Sequence, residues 1–178
     1  MKKSMLSATI VLASLLLTSG MAFAAGETSS GTLTVDATLA SSINLTFVTD
    51  TNGVALTGSG TNTATLDFGT VSQTGALATN VTRTPGTGNM VISTPFDVSV
   101  TKSNLTSASY ALTAQLGTAD AVNTWVIDTF TLNATTPTSL TVTGAYATNA
   151  AHTLALTIPN TELAGVITDT IAFVATAN

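Results

Sequence analysis

The sequence predicts an all-β protein, an antiparallel β-sandwich of about nine or ten short strands without a substantial helix. Apolar and polar residues alternate with a period of two through most of residues 32–178, which is typical of half-buried strands. Turn-forming residues separate these segments at intervals of roughly 8–15 residues, as in sandwich folds. Threonine, a β-branched residue that suits strands, makes up about a quarter of residues 25–178.

Ten alternating segments follow one another along the chain, and each predicts one strand. They cover residues 33–39, 43–47, 64–68, 90–92, 96–100, 110–116, 125–127, 140–142, 154–158 and 167–175. Turns are predicted at 50–53, which contains an Asn-Gly pair, and at 58–60, 84–86, 103–104 and 136–137. Residues 117–121 suit at most one short turn.

The first residues have the pattern of a secretory signal peptide. Lys2 and Lys3 precede an apolar run over residues 5–17, and Ala22-Phe23-Ala24 forms an A-x-A cleavage site. We expect cleavage after Ala24, because the apolar run is too short to span a membrane. The predicted organisation is a signal peptide over 1–24, an N-terminal tail over 25–41 and one sandwich domain over 42–178, with no membrane insertion.

Charge narrows the range of partners. Loss of residues 1–24 leaves Arg83 and Lys102 against nine acidic residues, a net charge of −7. Nucleic-acid binding depends on clustered basic residues, so we expect no nucleic-acid partner. Binding to an anionic membrane surface is disfavoured for the same reason.

The residue types that perform catalysis are scarce. The chain has no cysteine and one histidine, His152, which we expect at the surface or half-buried on a strand. The acidic residues are spread singly, so no carboxylate pair is apparent. We therefore predict a protein that is not an enzyme and has no cofactor or metal; a secreted hydrolase with an atypical site is an alternative.

Three other features are given structural interpretations. Trp125 is expected in the core, although with Tyr146 it could instead form a glycan-binding surface. Asp169 is expected to cap main-chain donors at a turn or strand edge. The 50–53 turn lacks the glutamate that would complete a calcium loop.

The N-terminal tail allows two interpretations. Residues 25–31 are small and polar, and Leu33, Val35, Ala37 and Leu39 then alternate with polar residues. Such a segment is either the first strand of its own domain or a strand that inserts into the open sheet edge of another subunit.

Two motifs resemble those of bacterial pilin-type sandwiches. Residues 66–71 read LDFGTV, and residues 164–178 read AGVITDTIAFVATAN. Both are similar to motifs of the spore coat protein U domain and of chaperone–usher fimbrial subunits. Ala164, Gly165, Asp169, Ile171 and Phe173 fit the C-terminal strand of that group, whereas Ile167 replaces its usual tyrosine. Many relatives carry a disulfide that is absent here, and the threonine-rich chain also resembles matrix-fibre subunits that exchange N-terminal strands.

This resemblance implies an Ig-like or pilin-like sandwich that polymerises with other copies of itself by donor-strand exchange. The expected product is an extracellular pilus or fibre with a role in adhesion or biofilm. It would lie at the cell surface, reached through the periplasm in a Gram-negative cell, with or without a periplasmic chaperone and an outer-membrane usher. The alternative is a monomeric secreted adhesin or envelope binding module whose sandwich is complete by itself. The predicted donor side chains are Leu33, Val35, Ala37 and Leu39, and the predicted acceptor groove contains Ile43, Leu45, Phe47, Ile167, Ile171 and Phe173.

Overall fold

The alternating segments form nine strands in two antiparallel sheets in the computed structural model, which describes residues 30–178. The predicted signal peptide and residues 25–29 lie outside the described residues. No helix occurs within 30–178, and so none there could cross a membrane. The strands are β1 Ser42–Val48, β2 Thr82–Gly86, β3 Asn89–Ser103, β4 Tyr110–Leu116, β5 Thr124–Ile127, β6 Phe130–Thr131, β7 Thr138–Gly144, β8 Asn149–Pro159 and β9 Ile171–Ala177.

The first sheet has the strand order β1-β3-β8-β5-β6. The long strand β3 is its centre, and its edge opposite β8 is shared by two shorter strands. β1 pairs with residues 97–103 of β3, and β2 pairs with residues 89–93. The second sheet has the order β7-β4-β9, so β9 is an edge strand.

The core lies between the two sheets, where the inward side chains of their strands meet. Val98 and Val100 of β3, and Tyr110, Leu112 and Ala114 of β4, have no exposed surface. Alternate residues of these strands are more exposed, as the period of two predicts. The predicted all-β sandwich is confirmed.

The space on β3 between β1 and β2 is filled by the turn that the Asn-Gly pair predicts. Gly53 N–H donates to Asp50 O at 3.0 Å, and Val54 N–H donates to the buried Thr94 Oγ1 at 2.9 Å. A Cβ on Gly53 would lie 2.0 Å from Pro95 O. Glycine is required here because the turn packs directly on the backbone of β3.

Two predicted strands lack strand pairing. Residues 64–68 contain only one isolated bridge residue, Thr65, which pairs with Thr57. Leu66 and Phe68 are nevertheless half-buried against the core. Residues 30–41 also contain no strand. Alternation predicts which side chains turn inward, but a strand also needs a neighbouring backbone with which to pair.

Three further details differ from the predictions. Residues 90–92 and 96–100 belong to one strand, β3. Pro85 and Gly86 lie in β2, where an edge strand tolerates proline, and the turn falls at residues 87–88. Val142 is 65% exposed, although Leu140 packs on the core. The β4–β7 register shifts around Leu112, and such a bulge changes which residues face inward.

Candidate functional site: an open groove between the sheets

The two sheets differ in length, and this difference leaves part of the core open. β3 has 15 residues and β8 has 11, whereas β4, β7 and β9 have seven each. At about 3.4 Å per residue, β3 is about 50 Å long and the strands of the second sheet are about 24 Å long. The second sheet therefore covers only part of the inner face of the first.

The open part is a groove with a volume of about 1210 Å³ whose lining is more apolar than polar. Inward side chains of the first sheet line it from β1, β3, β5 and β8, and two segments outside the strands, 62–71 and 164–170, flank it together with the start of β9. Its apolar lining from the first sheet consists of Ile43, Leu45, Phe47, Ile92, Phe96, Trp125, Leu154, Leu156 and Ile158.

All six side chains of the predicted acceptor groove line this one groove. They are Ile43, Leu45, Phe47, Ile167, Ile171 and Phe173. Each is only partly buried and packs against the core, so each keeps apolar surface available for a further contact. Sequence reasoning missed the flanking side chains Ala64, Leu66, Phe68 and Val71. The alternation of Ala64, Leu66 and Phe68 was visible, but it predicted a paired strand instead of a groove wall, and Val71 lies beyond that predicted strand.

Three aromatic rings join the two sheets beside the groove. The Phe173 ring of β9 lies edge-on to Phe47 of β1, with centroids 5.1 Å apart, and edge-on to Phe96 of β3, at 5.9 Å. Edge-to-face packing at these distances is favourable. The cluster fixes the spacing between β1 and β9 at one point.

The backbone of β9 has one edge without a partner strand among the described residues. Hydrogen bonds from Gly117 N–H to Thr170 O, and from Asn178 N–H to Ser109 O, continue the β4–β9 ladder at both ends. Because hydrogen-bonded pairs alternate in an antiparallel ladder, the even-numbered residues of β9 bond to β4. The N–H and C=O groups of Ile171, Phe173 and Ala175 therefore point to the free edge.

The groove has no basic residue in its lining, and its two carboxylates are already engaged. Asp67 accepts the Gly69 N–H at 2.7 Å. Asp169 accepts the N–H of Thr170 and both the N–H and hydroxyl of Thr118, which confirms the predicted capping role. The groove is therefore suited to apolar side chains and a pairing backbone instead of a charged ligand.

Trp125 is buried, as predicted, and lines the groove as the only tryptophan of the chain. Its indole N–H donates to Asp120 Oδ2 at 3.0 Å. Burial alone would raise the pKa of Asp120. Hydrogen bonds from the Asn123 and Val122 N–H groups, the indole and the Asn123 amide outweigh this effect and lower that pKa to about 2.

The predicted donor side chains lie in a segment without strand structure. Leu33, Val35 and Leu39 are 85%, 79% and 80% exposed, and Ala37 is exposed as well. Large apolar side chains seldom occur together in so exposed a segment unless they have a partner. We call residues 32–39 the donor segment.

His152 differs from its prediction, because it is buried with 7% exposure. Its Nδ1 lies 2.7 Å from Asp128 Oδ2, and Asp128 Oδ1 accepts the Thr153 N–H. The pair joins β8 to the turn after β5, residues that lie far apart in sequence. No group of three potential metal ligands occurs in the part of the chain that the structure describes.

Comparisons of the chain with protein-family models, with curated proteins and with solved structures find no match.

Proposed function

We propose that the chain is a structural subunit of an extracellular pilus or fibre, assembled by donor-strand exchange and serving adhesion or biofilm formation. The observation that carries this proposal is the open groove beside the edge of β9 that has no partner strand within residues 30–178. The donor segment of a second copy would fill the groove.

The donor segment and the groove are complementary in side-chain pattern and in length. Eight extended residues measure about 27 Å, close to the length of β9. A strand added to the free edge of β9 directs the side chains opposite Ile171 and Phe173 toward the core. Leu33, Val35, Ala37 and Leu39 have the spacing to occupy these inward positions, and Thr34, Asp36 and Thr38 then face solvent.

The path of the chain before β1 favours insertion into a neighbouring copy. Asn104 Nδ2 donates to Ala40 O at 3.0 Å, beyond the pairing of Ser42 with Ser103. Residues 40–42 therefore continue the line of β1. Folding back beside β1 would require a hairpin at Ala40 and Ser41, whereas two-residue hairpins favour glycine or asparagine.

The proposed partners are other copies of the chain, with a periplasmic chaperone and an outer-membrane usher as further candidates for assembly. The proposed location is the cell surface or an extracellular filament. The scarcity of basic residues argues against nucleic acid as a partner. A catalytic role is not proposed: His152 Nδ1 faces Asp128, and its Nε2, the nitrogen that would activate a nucleophile, is buried and has no hydrogen-bond partner within residues 30–178.

A matched pair of substitutions tests the proposal in the chain without residues 1–24. Val35→Asp places a charge on the inward face of the donor segment, and Thr34→Asp places the same charge on the outward face. We expect Val35→Asp to abolish filaments in electron microscopy and denaturant-resistant ladders on gels, because a buried unpaired carboxylate is unfavourable. Thr34→Asp should still form filaments.

The Val35→Asp protein keeps an intact groove and provides a second measurement. A synthetic peptide of residues 30–41 should bind it and change the fluorescence of Trp125, whereas the peptide with Val35→Asp should not. Filaments that persist unchanged in Val35→Asp would reject the donor assignment. A parent protein that is monomeric at every concentration, with residues 32–39 resistant to proteolysis, would favour the self-complete adhesin.

A further inference from the structure

The two ends of the first sheet lie far apart. At one end, Asn89 of β3 pairs with Pro159 of β8, and the chain then continues into residues 160–170. We call this the Pro159 end. At the other end, Ser42 of β1 pairs with Ser103 of β3, and we call this the Ser42 end. The 15 residues of β3 separate the two ends by about 50 Å.

The Pro159 end carries the most exposed apolar side chains of the sandwich domain. Leu163 and Val166 are 85% and 93% exposed, more than any other large apolar side chain outside the donor segment. Val122, 52% exposed, precedes β5, whose first residue pairs with β8 close to this end. Val166 also lines the groove, so this apolar surface is continuous with the proposed donor site.

Insertion of the donor segment would bring the Ser42 end of a second copy against one end of the groove. Only Ala40 and Ser41 separate Leu39 from β1, and three extended peptide steps span at most about 11 Å. β9 runs from the Pro159 end toward the Ser42 end, because it follows residues 160–170 and finishes beside Tyr110. A donor strand antiparallel to β9 would therefore place the second copy at the Pro159 end, and a parallel one would place it at the Ser42 end.

The charges at the two ends favour the antiparallel direction. Lys102 lies at the Ser42 end and has no carboxylate partner within residues 30–178. Parallel insertion would bring Lys102 of one copy toward Lys102 of the other, and like charges disfavour such contacts. Antiparallel insertion would bring it toward Glu162, which has no basic partner within 30–178. Arg83, the only other basic residue there, lies on β2, across β3 from β8.

We propose that Leu163, Val166 and Val122 pack against the Ser42 end of the next copy in the fibre, so that the donor segment inserts antiparallel to β9. This inference rests on the proposed function. Leu105, partly exposed in the turn after β3, supplies apolar surface on the opposing side. The contact does not need the area of an independent interface, because the inserted segment already joins the two copies and gives the second contact a high effective concentration.

A pair of introduced cysteines tests the contact, since the chain has no cysteine of its own. Leu163→Cys together with Thr106→Cys places one thiol at each end, because Thr106 is exposed in the turn after β3. A short bis-maleimide added to preformed filaments should link this double variant into ladders that survive complete unfolding. Thr153→Cys together with Thr106→Cys is the matched control and should give no ladder, because Thr153 is exposed in the middle of β8.

The outcomes of this experiment separate the contact from the fibre. Filaments of the double variant that give no ladder would overturn the contact and leave the fibre subunit standing. Linked dimers from Thr106→Cys alone would show that two Ser42 ends meet, and would overturn it as well. Absence of filaments from the parent chain would reject the fibre and this contact with it.

Leu163→Ser provides a second measurement, because Leu163 is not part of the groove lining. In the Val35→Asp background it should bind the peptide of residues 30–41 as tightly as the unchanged groove does, because the peptide carries no sandwich domain. In filaments it should lower the denaturant concentration at which subunits dissociate. Val142→Ser, which removes an exposed side chain from the second sheet, is the control and should leave that concentration unchanged. Leu163→Ser filaments that dissociate like the parent's would contradict the contact.

Discussion

The closed end of the sandwich and its groove are made of the same kind of residues but are completed differently. At the closed end, Val98 and Val100 of β3 meet Leu112 and Ala114 of β4, and all four are fully buried. In the groove, Ile43, Leu45 and Phe47 of β1 have an equally regular inward spacing but are only partly buried, whereas the lining side chains of β3, β5 and β8 are buried. On the proposed function, the groove is a region of core that a strand from a second copy completes.

The largest expected effect comes from truncating one leucine in each region. Leu112→Ala should lower the free energy of unfolding by about 2–5 kcal/mol, because it leaves a cavity in a closed core. Leu45→Ala in monomeric protein should cost less, about 1–2 kcal/mol, since its side chain is already partly hydrated. Denaturant unfolding of both variants in the Val35→Asp background measures the difference. Equal losses would contradict the description of the groove as incomplete core.

The Leu45→Ala substitution also tests the difference between the two regions in the polymer. Once a donor segment covers the groove, Leu45 becomes fully buried, and Leu45→Ala should lower the denaturant resistance of filaments more than it lowers monomer stability. Filament dissociation measured over a denaturant series checks this expectation. Filaments of Leu45→Ala that dissociate like those of the parent would show that Leu45 makes no contact with the inserted strand.

An intermediate effect is expected from Asp120, which supports Trp125 behind the groove. Because the pKa of Asp120 is lowered to about 2 by its hydrogen bonds, the ionised form stabilises the folded state. That stabilisation is present above pH 4 and is lost as the pH falls toward 2. For this partly exposed group we expect about 1 kcal/mol after solvent screening. Asp120→Asn should remove this part of the acid dependence in denaturant midpoints measured by Trp125 fluorescence.

The smallest effect concerns Asp97 on the outer face of β3, away from the groove. Partial burial, and then the neighbouring Asp50 carboxylate, raise the pKa of Asp97. A raised pKa means that the ionised form opposes folding, so this destabilisation grows as the pH rises through the folded-state pKa. Asp97→Asn should slightly increase thermal stability at neutral pH without changing polymerisation. A decrease would indicate that the bond from Asn149 at 3.4 Å matters more.

Much of the sandwich was predictable because alternation reports directly which residues turn inward. The inward residues of β1, β3, β4, β5, β8 and β9 follow from the period of two. Strand pairing depends on backbone segments that are distant in sequence. This explains why residues 64–68 were predicted as a strand and β2 was predicted as a turn. Val142 was predicted on the inward face because the alternation of residues 140–142 does not reveal the extra residues that β7 inserts opposite β4.

The predicted acceptor residues all line the groove, whereas other parts of the site were beyond prediction from sequence. Ile43 and Phe173 belong to clearly alternating segments at the two ends of the domain. The contact between His152 and Asp128 depends on tertiary structure. So does the position of Trp125, which bonds to Asp120 and also lines the groove. The free edge of β9 depends on strand order, which alternation does not specify.

Residue-resolved hydrogen exchange along β9 tests the central claim most directly. In the monomeric Val35→Asp protein, the amides of Ala172 and Val174 bond to β4 and should exchange slowly, whereas those of Ile171, Phe173 and Ala175 should exchange fast. In filaments of the parent chain, the odd-numbered amides should become slow as well, because an inserted strand accepts their hydrogen bonds. Odd-numbered amides that remain fast in filaments, or that are already slow in the monomer, would contradict donor-strand insertion at this edge.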